Sequence, residues 1–161
     1  MTSPLPDLTH NNISLQVIPL AWLISLAPRM WGRHLYHRAT NKDMDVVNPR
    51  NFKEDAASES TIDSRTQGRI LRAEAAMNNG YENIGMFAAA VVAGNAAGLS
   101  PKLLNGLSLG YVTSRVAYNV IYIYNETFWQ AAARSVTFFS GLGMCFALFI
   151  KAGEKFKRAI A

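Results

Sequence analysis

Arg115 is the only formal charge between Leu103 and Tyr124, in one of the most apolar stretches of this 161-residue chain. Upstream, Arg72, Asn79 and Glu82 follow one another at spacings of seven and three, which places them on one face of a helix. Tyr111, Arg115, Tyr118 and Tyr122, at spacings of four, three and four, form a polar and aromatic stripe on a later helix, and Arg134 opens the next apolar run. An ionisable group at membrane depth is costly unless it faces a partner or a wet cavity, so these residues are functional candidates by default. Three arginines, a glutamate, an asparagine and a tyrosine converging near one membrane side would make a cationic pocket beside lipid. Such a pocket suits a small anionic ligand together with a lipophilic second substrate. Plainer readings stay open for each residue. Arg72 and Arg134 could snorkel at helix ends, Glu82 and Arg115 could form a structural ion pair between helices, and Tyr111 and Tyr118 could simply pack.

The elements that must position these residues are four apolar runs: Ile13 to Pro28, Ile84 to Leu99, Leu103 to Tyr124, and Ser135 to Ile150. The last run is uncharged throughout, whereas a helix of a water-soluble bundle shows a polar face. The reading is therefore an all-α, integral membrane four-helix bundle occupying residues 1–161, with helices at about 12–33, 69–98, 101–124 and 130–152. Ser100 followed by Pro101 reads as a helix start, with the serine hydroxyl capping free amides and proline at the first helical position. The polar connection at about 34–68 shows no strand-like alternation and is expected to be an exposed, partly disordered loop. Tyr122, Tyr124 and Trp129 fall where an interfacial aromatic belt would lie.

Charge and composition narrow the classes. Nine Lys or Arg lie between Arg29 and Arg72, against Lys102 and a four-cation tail on the opposite side, so the long loop is placed in the cytosol. The net charge of +5 does not point to nucleic acid, because six acids dilute the loop cations and no binding motif is present. A single cysteine, Cys145, excludes a disulfide framework and a cysteine zinc site, and His10, His34 and His37 give no helical metal pair. No metal is expected. Residues 1–12 contain Asp7 and no Lys or Arg, so a positively charged secretory leader is not expected there.

Several ordered pieces resemble the MAPEG family, the membrane-associated proteins in eicosanoid and glutathione metabolism. They are Arg72-Ala73, then Asn79-Gly80-Tyr81-Glu82-Asn83 with Phe87 following, then Arg115 through Tyr118 to Tyr122, and finally Arg134-Ser135-Val136-Thr137. The similarity runs over about residues 69–150 with the family's helix order and short loops. It implies a homotrimer, with glutathione as cosubstrate held between neighbouring subunits and a lipophilic small molecule entering from membrane lipid. It also implies that Arg72, Asn79, Glu82, Arg115 and Tyr122 contact glutathione and that Arg134 is catalytic, beside the sulfur. Glu82 would take the ligand's ammonium and the arginines its carboxylates. A cation beside a thiol raises its thiolate fraction, and the thiolate attacks an electrophile.

Two positions depart from the pattern. Ala75 stands where the family commonly has a second arginine, and Phe138 where the prostaglandin synthase branch has a tyrosine. The activity implied is a glutathione-dependent transferase or peroxidase acting on lipophilic electrophiles, in the endoplasmic reticulum if the source is eukaryotic. A non-catalytic lipid-presenting scaffold, a glutathione-assisted isomerase and, from another class, a transport or channel subunit remain alternatives. The electrophile itself is not legible in the sequence.

Overall fold

The computed structural model describes residues 7–160. Its long helices are α1 (Ser14–Thr40), α3 (Ser64–Ala96), α4 (Pro101–Tyr124) and α5 (Phe128–Ile160); a 3-10 turn at Pro49–Asn51 leads into the short α2 (Phe52–Ser58). No strand occurs among the described residues. α1 packs chiefly on α3, α4 packs chiefly on α5, and α3 and α4 join the two pairs.

The exterior is apolar where the interior of a soluble protein would be. Leu15, Leu20, Trp22, Leu23 and Trp31 of α1 and Val136, Phe139, Phe146 and Ile150 of α5 are exposed. The inward faces carry Asn105, Ser108, Arg115 and Asn119. Such an arrangement suits a lipid surround, in which polar groups turn toward the bundle. Among the described residues, α5 is the one helix long and apolar enough by itself to cross a membrane.

Close helix contacts depend on small residues. A Cβ added at Gly80 would lie 2.7 Å from both the Cβ and the Oγ of Ser25, so α1 and α3 touch almost backbone to backbone one residue from Asn79. The core proper is held by Phe87 of α3 and Tyr111 of α4, stacked with ring centroids 4.0 Å apart. Around that pair pack Val17, Ala21, Leu104, Cys145 and Leu148. Cys145, the only thiol, is thus a buried packing residue.

α1 extends to Thr40, seven residues past the expected end at about 33, despite two internal prolines. Pro28 has no amide proton, so the carbonyl of Ile24 loses its helical partner. Asn119 of α4 supplies a replacement, its Nδ2 donating to that carbonyl at 3.0 Å. Replacing Asn119 by Leu leaves a half-buried carbonyl without a donor, and the expected loss is about 1 kcal/mol of stability, read as a lowered thermal midpoint in detergent.

The connection expected to be partly disordered is instead folded. Phe52, Ala56 and Ile62 are buried against Tyr36 and Ile70, forming a second apolar cluster beside the ends of α1 and α3. Arg29 reaches out from α1 to the carbonyl of Pro49 and pairs with buried Glu74 at 3.4 Å. The sequence shows no strand-like alternation here because the segment is a short helix anchored by single large side chains. Asp63 then caps α3, its carboxylate accepting from the amides of Arg65 and Thr66 at 3.1 and 3.0 Å, so the helix begins at Ser64 rather than near 69.

Ser100 corrects a sequence expectation in the other direction. It occupies the N-cap position of α4 with Pro101 behind it, but its hydroxyl makes no capping bond. Its carbonyl instead accepts from the amides of Leu103 and Leu104, both at 3.0 Å.

Lys42 clasps Glu59 at 2.7 Å across the connection. That ammonium and the Thr61 hydroxyl hold the Glu59 carboxyl down at about 2, from an ordinary 4.5. A depressed carboxylate stabilises the fold above its unfolded value and loses that contribution as pH falls through the folded one. Hydrogen exchange in residues 42–61 is therefore expected to accelerate as pH falls from about 4.5 to about 2, after correction for intrinsic exchange, and Glu59→Gln should remove that step.

Candidate functional site

At the α4–α5 turn end of the bundle, α3, α4 and α5 enclose an open cavity of about 260 Å³ lined by Asn79, Tyr118, Tyr122, Arg134, Ser135, Phe138 and Phe139. Three of the six expected site residues, Asn79, Tyr122 and Arg134, therefore meet in one space. Arg134 lies with its guanidinium carbon 4.7 Å from the centre of the Tyr122 ring, a stacked arrangement that aims the cation along the cavity wall.

Arg115 stands directly behind Asn79. It is 4% exposed, and its Nη2 donates to the Asn79 Oδ1 at 2.6 Å, tying α4 to α3. The guanidinium also lies 4.2 Å from the Tyr118 ring centre and 5.9 Å from that of Phe138. Asn79 thus has its oxygen fixed by a cation, which leaves its amide Nδ2 as the group turned to a ligand. Asn83, one turn on, donates back to the Asn79 carbonyl at 2.8 Å.

Two expected residues lie outside this wall. Arg72 donates from Nε to the carbonyl of Ile123 at 2.9 Å, where the last turn of α4 has carbonyls without helical partners. Its Nη groups stay free of protein hydrogen bonds among the described residues. Glu82 is exposed on α3 and makes no ion pair among the described residues. The alternative of a Glu82–Arg115 structural ion pair is therefore not what the fold contains, since Arg115 spends its contact on Asn79. Tyr122 also leaves the aromatic belt, which is kept by Phe128, Trp129 and Tyr124, all exposed.

Sequence reasoning missed the clamp around this end. Arg65 binds Glu126 through two bonds of 2.8 Å, and Arg69 approaches the same carboxylate at 3.5 Å. The Arg65 guanidinium holds the Glu126 carboxyl below the usual carboxylate range. The clamp ties the α4–α5 turn to the first turns of α3, next to the Arg72 contact, and so fixes where α5 and Arg134 begin. A signal existed, because Glu126 is the only charge between Arg115 and Arg134. Its partners, Arg65 and Arg69, are 61 and 57 positions away and share no local pattern with it. Phe139 was missed because an exposed aromatic in a uniformly apolar helix carries no mark of its own.

A sequence model of the MAPEG family matches residues 17–153. The chain belongs to the MAPEG family. No curated protein and no solved structure gives a significant match to it. MAPEG proteins are membrane helical bundles; they include glutathione transferases and related enzymes, and also non-catalytic members. For this MAPEG chain the match spans all four long helices, from the second turn of α1 to near the end of α5.

Proposed function

We propose that the protein is a glutathione-dependent membrane transferase or peroxidase that acts on lipophilic electrophiles. The observation that carries this reading is the cavity uniting Asn79, Tyr122 and Arg134, backed by Arg115. A thiol lying in it meets the Arg134 cation, which favours the thiolate at neutral pH. Tyr122, stacked on that arginine, holds its direction and offers a phenolic hydroxyl to the ligand. The lipid side is closed by Phe138 and Phe139, an apolar wall against which a membrane-dissolved substrate could meet the sulfur.

The cavity is open on one side, and Glu82 and the free end of Arg72 stand beyond it. This supports an assembly in which a neighbouring subunit completes the site. Along α3 the exposed residues Asn78, Glu82, Gly85, Ala89 and Val92 recur at spacings of four, three, four and three. A Cβ added at Gly85 meets nothing within 4 Å, so a second helix has room to approach. Such a seam, with small Gly85 and Ala89 at its centre, fits close helix association in a membrane, and we take the assembly to be the family's trimer. Glutathione then lies between subunits, its carboxylates drawn to Arg72 and to the positive field of Arg115 buried behind Asn79, and its ammonium to Glu82.

With all four long helices crossing the membrane, the residue 41–63 connection and the α4–α5 turn share one side, and the loop's cations support reading that side as the cytosolic one. In a eukaryotic cell this is the topology of an endoplasmic reticulum protein facing cytosolic glutathione.

A second reading, a non-catalytic lipid-presenting scaffold, is favoured by Ala75 and Phe138, which remove a cation and a hydroxyl from the pattern. One experiment separates the two. Purified protein is given glutathione with a generic aryl halide and, separately, a lipid hydroperoxide. Turnover of either supports the enzyme, while lipid binding without turnover of both favours the scaffold.

A further inference from the structure

The opposite end of the bundle carries a second concave feature, which the glutathione site does not use. The uncharged stretch of α5 ends at Ile150, and Lys151, Lys155 and Arg158 follow at spacings of four and three, on one helix face. With Leu99, Glu154 and Ala159 they line a groove of about 540 Å³ between the last turns of α5 and the α3–α4 turn. Lys155 is drawn across this groove and donates to the carbonyl of Gly98, a residue at φ +65° in that turn. Lys151 is partly neutralised by Glu154 at 3.1 Å. Arg158 has no ion-pair partner among the described residues, so the groove keeps a net positive charge.

We propose that this groove binds the phosphodiester headgroup of an anionic phospholipid. Three observations converge on that occupant. The cations follow directly on the uncharged stretch of α5, a helix long and apolar enough to cross a membrane, and so fall where the end of such a span would meet lipid phosphates. The charge is complementary to a phosphodiester, and Arg158 offers the planar fork that suits two phosphate oxygens. Leu99 and Ala159 supply an apolar flank for the first carbons of the acyl chains. Cations that merely snorkelled into solvent would not need a concave floor, nor a lysine tied to a turn carbonyl of another helix. The inference rests on the membrane-bundle fold and is independent of the glutathione reading.

The test is native mass spectrometry of the full chain released from detergent after incubation with phosphatidylglycerol, phosphatidylcholine, or both. Wild type is expected to retain phosphatidylglycerol in preference to phosphatidylcholine, and the preference should fall about fivefold for each cation removed in Lys155→Ala and Lys155→Ala/Arg158→Ala, as roughly 1 kcal/mol per basic residue implies. Arg158→Lys, which keeps the charge but not the fork, should hold part of the preference, and Arg134→Ala should leave it unchanged. An undiminished preference in the double variant overturns the assignment, as does equal retention of the two lipids by wild type. Displacement of the lipid by soluble glycerol phosphate at matched concentration overturns the lipid source in favour of a free phosphate.

Discussion

Replacing Arg115 by Ala is expected to weaken glutathione binding at least about a hundredfold, roughly 3 kcal/mol, and to lower the stability of the bundle at the same time. Two effects combine. The direct one is electrostatic, the loss of a buried positive charge whose field reaches a ligand carboxylate from behind Asn79. The indirect one concerns Asn79, whose Oδ1 accepts from Arg115 at 2.6 Å and would be left at a half-buried position without its donor. A polar group stranded in this way costs about 1–3 kcal/mol, and a freed Asn79 amide no longer presents a fixed donor to the cavity. Arg115→Lys separates the effects, since it keeps the charge but not the planar fork that contacts Asn79 while lying 4.2 Å from the Tyr118 ring centre. It is expected to recover most of the stability and only part of the affinity. Isothermal titration with glutathione beside thermal unfolding in the same detergent gives both readings.

Arg134→Ala carries the second large effect, of a different kind. This side chain lies in the cavity wall, stacked on Tyr122, and has no ion-pair partner among the described residues. Its removal should therefore leave the fold intact. If it acts on the sulfur, losing it raises the pKa of the bound thiol, so turnover falls about a hundredfold to a thousandfold at neutral pH while the glutathione dissociation constant changes only a few fold. The loss should shrink as pH rises, because solvent then ionises the thiol that the arginine no longer does. A structural role for Arg134 would instead move affinity and stability together and show no such recovery with pH. Tyr122→Phe, which keeps the ring under the guanidinium, is expected to be milder than Tyr122→Ala.

How far these features were legible in the sequence depended on whether their signal was local. Arg115 announced itself because a charge inside an apolar helix has few explanations, and Asn79 and Glu82 because their spacing repeats a family pattern. What the spacing could not convey was the order of contacts. Glu82 and Arg115 are opposite charges on neighbouring helices and invite pairing, yet α3 turns Asn79 toward Arg115 and leaves Glu82 facing outward. The difference is a rotation of less than one helical turn, below what periodicity resolves. Arg72 illustrates the same limit, since a residue on the right face proved to spend one of its donors on the last turn of α4.

The connection between α1 and α3 was the least legible part. Its fold rests on a few long-range anchors, Phe52 against Tyr36, Arg29 against Glu74 and Pro49, and Lys42 against Glu59. None of these leaves a periodic trace, and a polar composition alone resembles a loop. The same holds for the bridge from Asn119 to Ile24, which supports α1 where it runs on through Pro28. In each case the missing information was a partner beyond the reach of helical periodicity, from 16 positions away for Phe52 and Tyr36 to 95 for Asn119 and Ile24.

The cationic cavity formed by α3, α4 and α5 is expected to bind glutathione and ionise it. Ultraviolet difference absorbance of the purified protein, recorded on adding glutathione at neutral pH, reads that event directly. A thiolate band that saturates with ligand in wild type and is lost in Arg134→Ala, with binding retained, is the predicted result. Binding without any thiolate band in wild type, or a band of equal size in Arg134→Ala, would contradict it.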